Sequence, residues 1–441
     1  MVLIRDPLWD TIRLDDQAVR IVDSPSFQRL RYIRQLGLAH LVYPGATHTR
    51  FDHAIGVYHL LLQALRLLRE HKLFGEIAPA DARVTPYAGL LHDIGHYPFS
   101  HALEELEQER IPGDHEALVG HFLSDPAVRA ALTEIAADGV AAVEALVRGR
   151  SPNPLQGLVS GSLDLDKIDY LKRDARFCGV PYGEVDVDRL LHSLTIVRDP
   201  GSQRLEIGVH EKGVASLESL LFAKYQMFRN VYWHHAVRAA TVMYKRIVAD
   251  ALECGLVQSD ELIGQTDEGM LFQIEFRPVT TAHDPDLAQR IRRRVQQLRA
   301  RQLPKRAAEV VAAELGETEM VADWVGSDSA QKHAVEDTLA RELGLAPGDV
   351  YLDYPEKKAM FGLDLLVERR GGEVLRLGPA GRTGLIGLPR VADELYHTAR
   401  VLRLFVAGQR LHVDAARLAD IAITPLADVL ARIAAGSALL S

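Results

Sequence analysis

Apolar residues recur at helical spacing along most of the first half of the chain. From Phe51 to about Lys72 they return every three or four residues, which predicts an amphipathic helix with His53 near its start. The segment YAGLLHDIGH predicts another apolar helix, and Pro79 and Pro86 are expected in the loop between these two helices. An earlier helix is predicted through FQRLRYIRQLG. Further helices are predicted at about 115–124, 127–147, 154–176, 185–197 and 212–253, with a strand at RLEIGV before the last of them.

The pattern changes after about residue 260. LFQIEF and VYLDY have the pattern of strands, and LDLLVERRGGEVLRL predicts a hairpin that turns at Gly371 and Gly372. Two helical stretches, near 389–405 and 411–434, are predicted to end the chain. We therefore expect a mainly α protein with two parts, a helical core over residues 1–258 and a smaller α+β lobe over residues 259–441.

Composition narrows the class of protein. With 441 residues, 47% of them hydrophobic, the chain is long enough for two or three domains with cores of their own. Its 51 basic and 60 acidic side chains give a net charge of −9, which argues against a whole-protein coat for nucleic acid or membranes. Two cysteines are too few for a disulfide framework, and Arg5 and Asp6 interrupt any signal peptide. We expect a soluble cytoplasmic protein without a membrane span.

Histidine is the compositional anomaly, because nine of its 18 copies lie between His40 and His115. His92 and Asp93 stand side by side in LLHDIGHYPFSH, on an apolar segment where both side chains need partners. A second His-Asp pair at 283–284 precedes Pro285 and is typical of an ordinary loop.

Candidate partners for this pair are His53 and Asp166. Two imidazoles and two carboxylates suit Fe, Mn, Zn or Mg and leave positions open for water and substrate. Spacing alone also allows a hydrogen-bonded polar cluster in the core.

The order H…HD…D, with the flanking segments RFDHAIGV, LLHDIGHYPFSH and DLDKIDYLKRD, resembles the HD-domain phosphohydrolases. More narrowly, the chain is similar to the dNTP triphosphohydrolase branch that includes the SAM-and-HD-domain enzymes, through DSPSFQRLRYIRQLG and YPGATHTRFDH as well. The similarity runs from about Asp6 to about Asp250, and no separate SAM domain is expected before it. The resemblance implies a helical HD catalytic core in which His53, His92, Asp93 and Asp166 bind one divalent transition metal (Fe, Mn or Zn) per subunit.

The resemblance also implies a reaction. Water attacks the α-phosphorus of a dNTP, and the products are a deoxynucleoside and inorganic triphosphate; Mg²⁺ can accompany the nucleotide. Lys167 would meet phosphate, Tyr170 would lie against the deoxyribose where a 2′-hydroxyl would clash, and Asp174 would bond the 3′-hydroxyl. Spacing alone favours Tyr170 as a core aromatic. The remaining implied substrate-binding residues are Arg50 at the α-phosphate, Gln35 and Leu36 at the base and sugar edge, and Lys224 and Tyr232 on the phosphate-and-base wall.

For proton transfer the candidates are His115, Glu104 and His96, since histidine titrates near neutrality. The family usually has aspartate where this chain has Glu104, and the extra methylene changes the geometry of the carboxylate–histidine pair. His101 is open between two interpretations, an orienting group for the site or a hydrogen-bonded histidine of helix packing.

Regulation is implied by residues of the collar that precedes the first long helix. Asp23, Gln28 and Arg31 match positions with which the SAM-and-HD-domain relatives bind the guanine of an activating nucleotide between subunits. We therefore expect activation by GTP or dGTP and a homo-oligomer, dimer or tetramer; without the resemblance, the same residues would flank and cap a surface helix. Where relatives place an N-terminal lysine this chain has Val2.

The arginine-rich run over 290–306 has two interpretations, a solvated helix face or a binding strip for nucleotides or single-stranded nucleic acid. Two alternatives to the dNTP reaction stay open. One is an HD phosphohydrolase acting on another nucleotide phosphate ester. The other is a nucleotide-sensing or nucleic-acid-binding protein whose metal is structural.

Overall fold

The computed structural model describes residues 1–107, 110–316, 321–355, 362–378 and 385–440, and the fold is mainly α, as predicted. The helices up to residue 253 are α1 (Asp16–Val22), α2 (Pro25–Gln28), α3 (Arg50–Glu70), α4 (Pro79–Leu91), α5 (Ser100–Leu103), α6 (His115–Leu123), α7 (Pro126–Ile135), α8 (Gly139–Val147), α9 (Leu165–Cys178), α10 (Val187–His192), α11 (Val214–Met227) and α12 (His235–Glu253). The helices after it are α13 (Asp267–Phe276), α14 (Pro285–Arg299), α15 (Ala312–Leu315), α16 (Asp323–Gly326), α17 (Ala330–Glu342), α18 (Ala392–Ala399), α19 (Ala415–Ile423) and α20 (Leu426–Ala434).

The strands form three small sheets. Their bounds are β1 (Val2–Asp6), β2 (Asp10–Leu14), β3 (Leu194–Arg198), β4 (Leu205–His210), β5 (Lys305–Val311), β6 (Val350–Asp353), β7 (Leu365–Glu368), β8 (Val374–Leu377) and β9 (Val401–Val406). Strands β1 and β2 form an antiparallel pair, the second sheet has the order β3-β4-β7-β8, and the third has the order β5-β9-β6. Strand β4 runs parallel to β7, with Val209 opposite Val367, so the second sheet joins the first half of the chain to the predicted hairpin, which is confirmed.

Two apolar cores lie under these elements. The larger one extends from Ile12 through helices α3, α4, α9, α11 and α12 and includes residues of the second half as far as Phe405. The smaller one gathers residues from Ala307 to Leu439 around the third sheet. The predicted domain boundary at 258/259 stays a prediction.

Capping residues fix the two helix starts that carry candidate ligands. Thr49 and Asp52 cap α3 reciprocally, and Asp164 caps α9 by accepting from the backbone N–H of Lys167. His53 and Asp166 thereby stand in first turns that are held in place.

The helix predicted over YAGLLHDIGH differs from the structure at both ends. Helix α4 starts at Pro79 and includes Pro86, which we expected in a loop. Pro86 has no N–H to donate to the carbonyl of Ala82, yet the helix continues. One residue earlier, the carbonyl of Asp81 accepts from the Thr85 hydroxyl and the Asn153 amide. The helix then ends at Leu91, so His92 and Asp93 follow its last turn instead of lying within it.

The helix predicted through FQRLRYIRQLG is also shorter than expected. Helix α2 and a 3-10 turn (Arg29–Tyr32) account for its first half, and Ile33 is extended. Arg34 then pairs with Thr49 in an isolated bridge and its N–H donates to Asp267. This tertiary pairing turns Gln35 and Leu36 toward the cavity described below.

Several long predicted helices are interrupted. The stretch 127–147 is two helices (α7 and α8), 154–176 is helical as α only from Leu165, and 185–197 ends as strand β3. The stretch 212–253 is divided into α11 and α12 by a π-turn (Phe228–Tyr232).

Two predictions of element type are wrong in the second half. LFQIEF is the end of helix α13, where Met270, Leu271 and Ile274 are buried at helical spacing. The closing stretch 389–405 contains α18 and then β9, the central strand of the third sheet, and 411–434 is two helices (α19 and α20).

Candidate active site

A cavity of about 590 Å³ lies among helices α5, α9, α11 and α12 and the turn that follows α4. Most of the side chains singled out in the sequence line it. They are Gln35, Leu36, Arg50, His92, Asp93, His96, His101, Glu104, His115, Asp166, Lys167, Tyr170, Asp174, Lys224 and Tyr232. His53 lies behind them with a fully buried side chain.

The four candidate metal ligands meet at one end of this cavity. The Nε2 atoms of His53 and His92 are 3.2 Å apart, and Asp166 Oδ1 lies 2.8 Å from the first and 3.5 Å from the second. Asp93 Oδ1 is 3.2 Å from His92 Nε2. Two ligands that bind one ion at right angles with bonds of about 2.1 Å are separated by about 3.0 Å, so these spacings suit one shared cation.

The outer nitrogens of the two imidazoles give a second test of the fit. His53 Nδ1 is 2.8 Å from a carboxylate oxygen of Asp169, and His92 Nδ1 is 2.7 Å from the carbonyl oxygen of Gly89. When Nδ1–H donates to these acceptors, the Nε2 lone pairs of both rings point at each other. Two lone pairs at this distance repel unless a cation or a proton lies between them, so the residues present fit a metal.

Electrostatics in the centre lead to the same conclusion. Burial alone would lower the pKa of His53, but hydrogen bonds to Asp166 and Asp169 raise it to about 10. Burial would raise the pKa of Asp93, whereas the neighbouring His92 and Arg50 hold it well below its ordinary value. The carboxylates therefore stay charged, and a proton on His53 is what a metal ion would replace.

Next to the centre, two histidines stack beside a carboxylate. The rings of His96 and His115 are 3.8 Å apart and nearly parallel, and His115 Nδ1 is 2.8 Å from Glu104. The longer Glu104 side chain thus reaches the histidine despite the change from aspartate. His101 Nδ1 lies 3.2 Å from the other Glu104 oxygen, and its side chain is 62% exposed. His101 is therefore a member of this cluster and not a buried packing residue.

His96 differs from the other two histidines. It is 1% exposed, and burial together with Arg50 and His115 holds its pKa well below the ordinary value. Its Nε2 lies 3.1 Å from Asp93 Oδ1, so the neutral ring holds a candidate ligand from outside the centre.

The far wall carries the aromatic and acidic side chains of α9. Tyr170 follows Asp166 by one turn, and Asp174 follows Tyr170 by another. Asp174 accepts from the Tyr232 hydroxyl at 2.6 Å and pairs with His48 Nε2 at 2.8 Å. These bonds fix its carboxylate at the cavity edge.

Cationic side chains stand between the two ends. Arg50 donates to Asp93 at 2.6 Å, while its buried Nε has no hydrogen-bond partner among the described residues. Lys167 pairs with Asp164, and Lys224, on α11, lines the opposite side. The unpartnered Nε of Arg50 and the positive charge of the two lysines equip the cavity for an anionic ligand.

Comparisons with known proteins identify two consecutive regions of the chain. Residues 50–171 match the HD domain, and residues 185–381 match the HD-associated region. The chain is an HD-domain protein. Its resemblance to the HD-domain dNTP triphosphohydrolases is also confirmed, since proteins of that name are among its relatives.

An uncharacterized protein of Methanocaldococcus jannaschii is 37% identical over 254 residues, 57% of this chain and 50% of that protein. The deoxynucleoside triphosphate triphosphohydrolase SAMHD1 of Homo sapiens is 28% identical over 265 residues, 53% of this chain and 42% of that protein. The alignments thus span about half the length of these relatives, or less.

Solved structures show the same fold. A phosphohydrolase from Bacteroides thetaiotaomicron superimposes with a TM-score of 0.69 at 21% identity, covering 92% of this chain and 100% of that one. A hypothetical protein from Aquifex aeolicus gives 0.66 at 24% identity, covering 92% and 96%.

The site also contains residues that the sequence analysis did not identify. Asp169 holds the outer nitrogen of His53, Asp164 holds Lys167, and His48 holds Asp174. The acidic repetition in DLDKID was a signal for the first two, whereas His48 had none, because its partner lies 126 positions away.

The predicted activator residues lie outside the cavity. The Arg31 guanidinium lies 3.4 Å over the Phe51 ring and donates to Gln28, while Asp23 is exposed at the end of α1. Phe51 is next to Arg50, so this group borders the end of the cavity where the candidate ligands meet.

The arginine-rich run is largely occupied by internal contacts. Arg292 donates to backbone carbonyls, Arg294 pairs with Asp250, and Arg299 pairs with Glu268 and Glu275. Binding of nucleic acid there stays a prediction. In the described parts of the chain, no helix combines the length and the apolar character that crossing a bilayer requires.

Proposed function

We propose that this protein hydrolyses deoxynucleoside triphosphates to a deoxynucleoside and inorganic triphosphate. The observation that carries the proposal is one cavity. It holds a histidine–aspartate centre suited to a metal, cationic side chains and the Tyr170–Asp174 face. The relatives that bear the name of this activity support it.

His53, His92, Asp93 and Asp166 are proposed to hold one Fe, Mn or Zn ion per subunit. Such an ion supplies Lewis acidity at an α-phosphate oxygen and a more acidic water. The two imidazoles are oriented by hydrogen bonds on their outer nitrogens, to Asp169 for His53 and to the Gly89 carbonyl for His92.

The phosphates are proposed to lie along Arg50, Lys167 and Lys224, with Mg²⁺ where the nucleotide carries it. Arg50 is already turned toward the centre by Asp93, and its free Nε supplies a donor at the α-phosphate. Phosphoryl transfer depends on such positioning and charge stabilisation more than on covalent chemistry.

The deoxyribose is proposed to lie against Tyr170, with its 3′-hydroxyl donating to Asp174. Gln35 and Leu36 line the cavity where the base and sugar edge would lie. A ring at the 2′ position selects against ribose by steric exclusion.

The reaction breaks the bond between the α-phosphorus and O5′ and forms one from water oxygen to that phosphorus. The leaving O5′ takes a proton, and the cluster of Glu104, His115 and His101 is proposed to deliver it. Burial would raise the pKa of Glu104, but hydrogen bonds to the two imidazoles hold it far below its ordinary value, so Glu104 stays a charged acceptor beside both rings.

We further propose that the protein is cytoplasmic, assembles as a dimer or tetramer and is activated by GTP or dGTP through Asp23, Gln28 and Arg31. The divisions 1–258 and 259–441 are proposed as its catalytic core and its α+β lobe.

The test is a substrate panel with metal analysis of the same purified sample. We expect each active dNTP to yield deoxynucleoside, NTPs to be poor substrates, and one transition metal per chain. Hydrolysis of a monophosphate or cyclic nucleotide in preference to every dNTP would replace the proposal with the alternative phosphohydrolase. A metal-loaded protein inactive on all these substrates, with and without GTP, would favour a structural metal.

A further inference from the structure

A short stretch of chain, residues 104–107, carries Glu104 into the cavity, and we call it the Glu104 segment. It follows the one-turn helix α5 and precedes α6, whose first residue is His115. Glu104 accepts from His115 and His101 on its cavity side. The relative position of Glu104 and His115 therefore depends on how firmly this irregular segment is held.

The adjacent side chain, Glu105, points to a different set of partners. Its two oxygens accept from the two terminal nitrogens of Arg238, both at 2.9 Å, and one also accepts from Lys245 at 2.8 Å. Arg238 and Lys245 lie two turns apart on helix α12, with side chains that are 7% and 2% exposed. Burial would raise the pKa of Glu105, but these two cations lower it to about 2, so the carboxylate stays charged.

Residues of the second half of the chain complete this arrangement. Asp353, at the end of β6, is 1% exposed and accepts from Arg238 Nη2 at 2.6 Å, a nitrogen that also donates to Glu105. The backbone N–H of Asp328 donates to the Glu105 carbonyl at 3.1 Å, and Leu106 forms an isolated parallel bridge with Asp328. Asp328 is held in turn by His333 at 2.7 Å.

The geometry points to a positioning function for this arrangement. We propose that Glu105, Arg238, Asp353 and Asp328 form a clamp through which the α+β part of the chain sets the position of Glu104 against His115. The charged pairs are directional and bidentate, so they fix the segment's orientation as well as its place. Glu105 and Asp353 are positioning residues, and the kinetic part of the claim rests on the proposed function.

The test compares Glu105→Gln and Asp353→Asn with Glu336→Gln. Glu336 is a matched control, because it is a buried glutamate that pairs with Arg246 of the same helix α12 but does not touch the Glu104 segment. Amide hydrogen exchange of residues 104–107 measures the clamp directly, whatever the substrate is. We expect exchange to rise about tenfold or more in the first two variants and to stay near wild type in the control.

The kinetic readout separates positioning from general damage. Misplacement of a catalytic group by about 1 Å costs up to about 100-fold, so we expect kcat to fall about 10- to 100-fold in the two clamp variants, with KM and metal content within about twofold. Glu336→Gln should keep kcat within about twofold while its Tm falls as much as theirs. If Glu105→Gln does not fold, Asp353→Asn alone tests the clamp, because Asp353 does not line the cavity.

Two results would overturn the clamp. One is unchanged exchange of 104–107 in Asp353→Asn, and the other is a kcat loss no larger than that of Glu336→Gln. If the wild-type protein hydrolyses no dNTP, the proposed function fails, and the exchange measurement still decides the clamp.

Discussion

Asp166 tests the metal centre at the scale of a single residue. Its Oδ1 approaches both imidazoles, so Asp166→Ala removes a charged donor and leaves the two Nε2 atoms without a carboxylate between them. We expect loss of bound metal and a fall in kcat/KM of about 100-fold or more. Metal analysis and steady-state kinetics of the same sample check this, with Asp188→Ala, whose side chain is 89% exposed, as the control. A variant that keeps both metal and activity contradicts the assignment.

Tyr170 tests the selection of deoxyribose. If its ring closes the space for a 2′-hydroxyl, Tyr170→Ala should lower the dNTP-to-NTP ratio of kcat/KM about tenfold or more, whereas Tyr170→Phe keeps the ring and the ratio. Competition between dATP and ATP in one reaction measures the ratio directly. An unchanged ratio in Tyr170→Ala would mean that another residue excludes ribose.

At the scale of residues, many of the side chains that line the cavity could be predicted from the sequence. The hydrogen-bond partners that hold those side chains in place could not. His92, Asp93 and Asp166 could be found because their residue types and order are informative in themselves. Asp169 and His48 could not, since each acts through a hydrogen bond to a residue on another element. Long-range partners of this kind depend on the packing of helices, which local pattern does not encode.

Among the elements, helix α13 carries a buried acid at its first position. Asp267 is 1% exposed, and burial raises its pKa to about 6 despite a hydrogen bond from the Arg34 N–H. Since the folded pKa lies above the unfolded one, this carboxyl costs stability progressively as pH rises from about 4 through 6.

Asp267→Asn imitates the protonated form and keeps the acceptor for Arg34. We expect Tm to rise by about 5 °C at pH 7.5 and by much less at pH 4.5. Asp286→Asn, an exposed aspartate in the first turn of α14, should show no such pH-dependent gain. Thermal unfolding at the two pH values measures this difference in Tm. An equal gain in Tm at both pH values would show that titration of Asp267 is not its cause.

Element type was predictable where hydrophobic spacing was long and regular, as in α3 and the β7–β8 hairpin. It was not predictable where tertiary contacts override the local pattern. LFQIEF resembles a strand because Phe272 and Phe276 are apolar, yet both are exposed on a helix. Pro86 resembles a helix breaker, yet α4 continues past it to Leu91, with Thr85 and Asn153 donating to the nearby Asp81 carbonyl.

At the scale of the whole molecule, we expect assembly of the oligomer and hydrolytic activity to be coupled. A nucleotide that binds only between assembled subunits shifts the equilibrium toward the oligomer. We expect GTP or dGTP to raise activity on dATP and to shift the mass distribution upward, and Arg31→Ala to abolish both effects with metal retained. Arg13→Ala, another exposed arginine of the collar, is the control. Mass photometry measures the assembly and steady-state kinetics measures the activity. Activity that is independent of GTP, dGTP and protein concentration would contradict the prediction.

Hydrolysis at the α-phosphorus can be tested directly by phosphorus NMR of the reaction in ¹⁸O-labelled water. We expect inorganic triphosphate as the phosphorus-containing product, with the label on one terminal phosphate and none in the deoxynucleoside 5′-hydroxyl. Appearance of a deoxynucleoside monophosphate with pyrophosphate, of orthophosphate, or of label in the deoxynucleoside would contradict it.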